Sequence, residues 1–289
     1  MIDTPVSIAF GVIAMLTWGV ADFLAAVSVR KLTELQVAFV SQIVILAIFI
    51  PVTLVYFPNP EFTLKDLAWG VIGGAIDALG LLAFFKGLKV GQVAVVSPIA
   101  AASSTVTVLI SVTLFGEQLL LPQVASILFI IIGSILTSFK LKDLLSLRLD
   151  HAVKGAHYAF IAMILWGIGI GIIGHTVHAE PDWLPLILVS NISIFATFIA
   201  YGKIKKKKLL TPLITARLPV LVGVSEAIAF AAFGFGNSIG SASIIVPIIG
   251  TAPAVSVLLA RVFFREKTDV NQKLGLLFLI YGIATISLY

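Results

Sequence analysis

The chain has 289 residues, of which 60% are hydrophobic and only 11% are charged, and its mean hydropathy is +1.13. A soluble domain carries about 25% charged residues, so most of this chain should lie in a lipid bilayer, and a soluble catalytic domain is excluded. The 19 Lys and Arg residues exceed the 14 Asp and Glu residues. They lie between apolar segments, so membrane topology explains them better than nucleic acid does.

Ten apolar segments are each long enough to cross a bilayer as an α-helix, which takes about 20 residues. In chain order these segments are 6–28, 34–56, 64–86, 91–114, 119–139, 153–174, 183–203, 213–236, 240–263 and 270–289. The sequence therefore predicts an all-α integral membrane protein with ten transmembrane helices. No Lys or Arg precedes the first segment, so a signal peptide is not expected and this segment should remain in the mature protein.

The second half of the chain repeats the first. Trp18 recurs as Trp166 at an offset of 148 residues, and the offset is 149 from Gln42 and Asn191 onward. Further pairs at this offset are Gly74 and Gly223, Asp77 and Glu226, Pro98 and Pro247, Glu117 and Glu266, and Gly133 and Gly282. The predicted organisation is a five-helix repeat at 1–139, a linker at 140–152 and a second five-helix repeat at 153–289.

An odd number of helices per repeat determines how the two repeats are related. With five crossings each, the second repeat must enter the membrane from the opposite side, so the repeats are predicted to be inverted copies about an axis in the membrane plane. Lys65 is the only Lys or Arg on the face that carries both termini, and the other 18 of the 19 lie opposite. Since positive residues stay in the cytoplasm, both termini are expected outside it, in a plasma or inner membrane.

Three acidic residues fall inside apolar segments. Asp77 and Glu226 occupy equivalent positions near the middle of the third and eighth segments. An ionised acid near the bilayer centre costs at least ~2.5–3.5 kcal/mol, so such residues face a bundle interior or a wet cavity. We interpret this pair as a proton or substrate site; the alternative is a structural hydrogen-bonding role. Asp22, about two turns before Arg30, either faces an aqueous vestibule or pairs with Arg30.

Two further symmetric pairs belong to the candidate substrate or proton site. The amides of Gln42 and Asn191 are expected either to hydrogen-bond a substrate or to hold two helices together. Trp18 and Trp166 lie near mid-segment rather than at the interface where belt tryptophans sit. They are predicted to wall a cavity, with packing between helices as the alternative.

Proline lies near the start of the fourth and ninth segments. Pro98 and Pro247 each remove an amide donor and disturb the helix before them. Helix interruptions at corresponding positions of two repeats point to a transport site, and we add Ser97 to the candidate residues because it adjoins Pro98. The alternative is a pair of ordinary kinks at helix entrances.

Together these features resemble the drug/metabolite transporter superfamily, EamA branch. The resemblance rests on the five-plus-five inverted repeat, Trp-Gly in segments one and six, Pro-Ile in segments four and nine, and Phe-Gly-Glu-Gln at 115–118. It covers nearly the whole chain. It implies two four-helix sets around a central cavity, with the fifth and tenth helices at the periphery, and substrates such as amino acids, sugars, nucleosides or drugs.

The sequence thus predicts a secondary transporter that moves small organic metabolites by alternating access, with proton coupling left open. An uncoupled facilitator or a channel for small polar solutes is the alternative. We find no Walker motif, nucleophile elbow or metal-binding histidine spacing, so no enzyme activity, cofactor, metal or nucleic-acid partner is expected. The expected partners are a small-molecule substrate and the lipid bilayer, and the protein is either a monomer or a homodimer.

Overall fold

The computed structural model describes most of the chain. The described residues are 4–61, 63–91, 96, 99–100, 102–138, 149–178, 182–212, 215–264 and 270–286. Within them the regular structure is α-helical, without strands, as predicted. The helices of the first repeat are α1 (Thr4–Ser28), α2 (Glu34–Tyr56), α3 (Leu64–Val90), α4 (Ser103–Thr113) and α5 (Leu121–Ser138). Those of the second are α6 (Leu149–Val177), α7 (Trp183–Ile204), α8 (Arg217–Ile239), α9 (Ala242–Ile249), α10 (Ala252–Phe264) and α11 (Val270–Ile286).

Six of these helices, α1, α2, α3, α6, α7 and α8, are long and apolar enough to cross a membrane. Shorter apolar stretches lie in α4, α5, α9 with the start of α10, and α11. The protein is therefore a multi-pass helical membrane protein, whereas ten crossings remain a prediction. The linker predicted at 140–152 lies outside the described residues as far as residue 148.

Local sequence explains where α2 and α3 begin. The Thr33 hydroxyl accepts a hydrogen bond from the Gln36 amide at 3.2 Å, and the Gln36 side chain accepts one from the Thr33 amide at 3.1 Å. Thr63 and Asp66 make the same reciprocal pair at the start of α3, at 3.2 and 2.9 Å. Each pair satisfies amide groups that have no partner within the helix.

The two repeats pack against each other rather than as separate bundles. Helix α3 packs on α6, and its equivalent α8 packs on α1. Helix α2 packs on its own equivalent α7, and α5 packs on its own equivalent α11. Each contact between the repeats therefore has an equivalent in which the two repeats are exchanged, as a pseudo-two-fold axis between them requires.

Glycine permits the closest of these approaches. A Cβ atom added at Gly74 would lie 3.0 Å from the Cα of Ser190, and one added at Gly223 would lie 2.9 Å from the Cα of Ser41. The two contacts are equivalent, because both the glycines and the serines are 149 residues apart. Only glycine lets the helix backbones meet at this distance.

Two clusters of buried apolar side chains follow from this packing. The larger is formed mainly by α1, α2, α3, α6, α7, α8 and α9. The smaller includes Ile127 and Ile130 of α5 and Leu279 of α11, together with residues of α1, α9 and α10. Helices α5 and α11 thus lie beside the main bundle, which leaves the other helices to form its centre.

Candidate functional site

A central cavity lies between the two repeats. The empty space inside it and at its open mouth amounts to about 910 Å³. Its walls come from α1, α2, α3, the start of α4, and α6 to α10. Both repeats therefore contribute side chains to a single chamber.

Six of the ten candidate residues line this cavity. They are Trp18, Asp22, Gln42, Asp77, Trp166 and Glu226. Two others, Asn191 and Pro247, are buried nearby without lining it. Ser97 and Pro98 lie outside the described residues. Contact with a substrate or a proton stays a prediction for all ten.

The three acids converge on the cavity. Asp77 of α3 and Glu226 of α8 are each 6% exposed, and Asp22 of α1 is partly buried. Asp22 and Glu226 approach the cavity from α1 and α8, which pack together, and Asp77 approaches it from α3. Among the described lining residues none is Lys, Arg or His.

The structure distinguishes the two alternatives for Asp22. Its side chain lines the cavity, whereas Arg30 is exposed beyond the end of α1. Asp22 also has no acidic counterpart in the second repeat, because the equivalent position holds Ile170, which lines the cavity as well. The vestibule interpretation therefore fits the structure better than pairing with Arg30.

Gln42 and Asn191 bond to each other where α2 crosses α7. The Gln42 Nε2 group donates to Asn191 Oδ1 at 2.8 Å and to the Asn191 carbonyl oxygen at 3.1 Å. Asn191 Nδ2 donates to the carbonyl oxygen of Ile187 at 2.9 Å. The pair therefore holds the two helices together, and Gln42 alone also faces the cavity.

Aromatic rings support the two tryptophans. Trp18 lies edge-on to Phe230 with ring centroids 5.2 Å apart, and Trp166 packs on Phe84 at 4.8 Å. Gly80 makes room for Trp166, since a Cβ atom there would lie 2.7 Å from the indole Cδ1. Each tryptophan thus packs against protein and lines the cavity, so both interpretations made from the sequence describe part of its environment.

The ninth predicted segment is not one continuous helix. Helix α9 ends at Ile249 and α10 begins at Ala252, so the interruption expected at Pro247 lies three residues further along the chain. Gly250 and Ala252 line the cavity at this break. Helix α4 likewise begins only at Ser103, after the equivalent position in the first repeat. The ninth predicted segment, 240–263, thus contains both α9 and α10, with an interruption close to the expected one.

Glu117 connects the repeats at one end of α9. The sequence suggests either an interfacial acid or a cap for the following helix. Its Oε2 atom instead accepts hydrogen bonds from the amide of Ser243, at 3.1 Å, and from the Ser243 hydroxyl group. A carboxylate at this place offsets the positive end of the α9 dipole, so a loop of the first repeat caps a helix of the second.

Several lining residues were missed by sequence reasoning. Leu81 and Phe230 lie four residues after Asp77 and Glu226, and Ile170 lies four after Trp166. Residues four apart share one face of a helix, so this spacing could have identified them. They were missed because apolar side chains that face a cavity and those that face lipid look alike in a sequence.

A helical membrane protein whose two pseudo-symmetric repeats enclose one acid-lined chamber has the architecture of a membrane transporter. The sequence profile of the EamA-like transporter family matches residues 6–139 and 153–288. The chain belongs to this family, and the resemblance noted from the sequence is confirmed.

Two individual proteins and one solved structure are similar to this chain. An uncharacterized transporter of Archaeoglobus fulgidus is 22% identical over 243 residues, which is 83% of each chain. An uncharacterized protein of Methanocaldococcus jannaschii is 30% identical over 134 residues, which is 46% of this chain but 96% of that relative. A solved crystal structure has the same fold, with a TM-score of 0.73 and 20% identity over 98% of this chain and 96% of that one.

Proposed function

We propose that this protein is a secondary transporter that moves small organic metabolites across the membrane by alternating access. The observation that carries the proposal is the position of the cavity between two pseudo-symmetric repeats. Because both repeats form its walls, movement of one repeat against the other opens the chamber to each face of the membrane in turn.

The proposed mechanism assigns a role to each group of lining residues. Asp77 and Glu226 bind a proton or a cationic part of the substrate. The side-chain oxygen Oε1 of Gln42 accepts a hydrogen bond from the substrate, while Asn191 holds the Gln42 side chain in place. Trp18 and Trp166 form the cavity walls, and the interruption between α9 and α10 supplies a point at which the wall bends. Support comes from the convergence of these residues on one cavity.

The proposed topology has ten membrane crossings and inverted repeats. The breaks after Ile249 and before Ser103 fall at equivalent positions of the two repeats. Interrupted helices at equivalent positions are typical of transporters with inverted repeats. An odd number of crossings in each repeat then places both termini on the same face.

Counterflow in proteoliposomes tests transport by a carrier. A purified-protein thermal-shift screen first identifies a ligand among amino acids, sugars, nucleosides and amines, since a bound ligand raises the apparent stability of the folded state. Vesicles loaded with that ligand should then transiently accumulate its labelled form from outside. Flux without any such accumulation would support the channel alternative and contradict the proposal.

A further inference from the structure

We propose that the cavity selects organic cations, namely small amines with an apolar body, over neutral and anionic solutes of the same shape. This inference rests on the proposed transport function and names its substrate class. It follows from three properties of the described lining residues: their charge, the hydrogen-bonding groups that remain available, and the unequal distribution of acids between the repeats.

The charge of the lining is entirely acidic. Asp22, Asp77 and Glu226 face the chamber, and no basic side chain is present among the described residues that line it. Lys207 and Lys89 pair with Glu34, at 2.7 and 3.5 Å, and neither lines the chamber. Charged side chains inside a membrane protein pair with one another or mark the path of a substrate, an ion or a proton. An anionic substrate would meet three carboxyl groups with no cation to offset them.

The amide pair contributes an acceptor and no donor. Nε2 of Gln42 donates to two oxygen atoms of Asn191, and Nδ2 of Asn191 donates to the carbonyl oxygen of Ile187. The remaining polar atom of Gln42 is Oε1, which can only accept. Ser103 and Ser104 also line the chamber, and a hydroxyl group can accept as well as donate. An ammonium group only donates, so carboxyl, amide and hydroxyl oxygen atoms of this lining can all accept from it.

Aromatic rings complete a lining suited to a cation with an apolar body. Trp18, Trp166, Phe230 and Phe233 all line the chamber. The face of an aromatic ring attracts an ammonium group, by about 0.5–2 kcal/mol depending on desolvation. The same rings pack against hydrocarbon, so they accommodate both parts of an amine.

The acids are distributed unevenly, and this orients the ligand. Position 22 is aspartate, while its equivalent in the second repeat is Ile170. Asp22 and Glu226 stand on α1 and α8, which pack together, whereas Asp77 stands on α3, which packs on α6, so two of the three acids share one side of the cavity. Ile170 and Ile173 line the chamber too. The ammonium group therefore binds between Asp22 and Glu226, on the side with two acids, and the apolar body extends toward α6, where Ile170 and Ile173 line the wall beside the single acid Asp77.

Binding of matched compounds to the purified full chain tests this assignment. We would measure affinities for three apolar bodies, propyl, phenylethyl and indolylethyl, each carrying an amine, a hydroxyl or a carboxylate. At least one amine should bind about tenfold or more tightly than its alcohol, as expected for hydrogen bonds to charged groups, and more tightly than its carboxylate. The inference is overturned if no amine binds, or if every amine binds no better than its alcohol.

Variants locate the cation. Asp22→Asn should weaken binding of the best amine about tenfold and leave binding of the matched alcohol unchanged. Glu61→Gln removes an exposed acid in the connection between α2 and α3, and this control should bind the amine like the original protein. Equal amine affinity in Asp22→Asn and in the control would contradict the assigned orientation.

The same vesicles separate this inference from the transport function. Amine binding without counterflow would support the substrate class and reject the carrier. Counterflow of a neutral or acidic solute, with no amine bound, would support the carrier and reject the substrate class.

Discussion

Asp77 and Glu226 lie inside long apolar helices, where an ionised carboxyl group is energetically unfavourable. Each is 6% exposed and lines the same chamber, with no basic side chain among the described lining residues. A carboxylate in this position needs a proton, a cation or water to remain there. The convergence of both acids from equivalent positions supports a shared role in the chamber, which stays a prediction.

Neutral replacement of both acids tests proton coupling. In the double variant Asp77→Asn with Glu226→Gln, amides keep the size of the side chains but carry no titrating proton. We therefore expect an imposed pH gradient to stop driving ligand uptake into proteoliposomes. Glu61→Gln, which changes an exposed acid, should retain the response. Unchanged gradient-driven uptake in the double variant would remove protonation from the mechanism.

Gln42 and Asn191 show how one pair of equivalent residues can take two roles. They stand at the same position in their repeats, yet Gln42 lines the cavity and Asn191 does not. Two equivalent side chains that meet at a pseudo-two-fold axis cannot both occupy the space on that axis. The symmetry is therefore broken locally, and the Gln42 side chain donates a hydrogen bond to Asn191.

At the scale of the helix, a break divides the ninth predicted segment into two short helices at the cavity wall. Helix α9 has eight residues and is separated from α10 by Gly250 and Thr251. The Gly250 amide donates to the carbonyl oxygen of Val246 at 2.8 Å, so the last turn of α9 is closed before the chain turns. Short helices joined at a cavity wall can tilt without unfolding, whereas a continuous helix would resist bending there.

Alanine at the symmetric glycines should disrupt the contact between repeats. In Gly74→Ala and Gly223→Ala the new methyl group would press on the backbone of Ser190 or Ser41. Overpacking typically costs about 1–3 kcal/mol, so both variants should melt at a lower temperature in detergent and transport more slowly.

Gly171→Ala is the matched control, because a Cβ atom there meets its nearest neighbour at 3.6 Å, an ordinary contact. Its melting temperature should stay near that of the original protein. If all three variants behave alike, close approach at Gly74 and Gly223 does not determine stability.

At the scale of the molecule, charge distribution determines orientation in the membrane. The face opposite the termini carries 18 of the 19 basic residues under the proposed ten-crossing topology. Asymmetry of this kind normally retains the basic face in the cytoplasm. Lys207 and Lys89 additionally bind Glu34 at this face, at 2.7 and 3.5 Å, so some basic residues also join helices.

Reporter fusions test this orientation. A reporter that is active only outside the cytoplasm should be active when fused after Tyr289, and inactive when inserted in the lysine-rich connection between α7 and α8. A reporter active only in the cytoplasm should show the reverse pattern. Cytoplasmic activity after Tyr289 would overturn the topology derived from charge.

Much of the architecture could be predicted because a bilayer constrains a chain strongly. The helix predicted at 34–56 has the observed bounds Glu34–Tyr56. The repeat could be recognised because duplicated positions such as Trp18 and Trp166 keep their residue types. The interruption expected near Pro247 lies after Ile249, because Gly250, three residues further along, is a weak helix former.

By itself, the sequence determined the helical membrane class, the two-repeat organisation and the family. The length of each apolar segment and the spacing between repeated residues can both be read from the order of residues alone. The tertiary structure alone decided that Asp22 faces the cavity, that Gln42 rather than Asn191 reaches it, and that Glu117 caps a helix of the other repeat. In these almost wholly apolar helices, side chains that face lipid and those that face protein are chemically alike. The direction in which each residue points therefore emerges only when the helices pack.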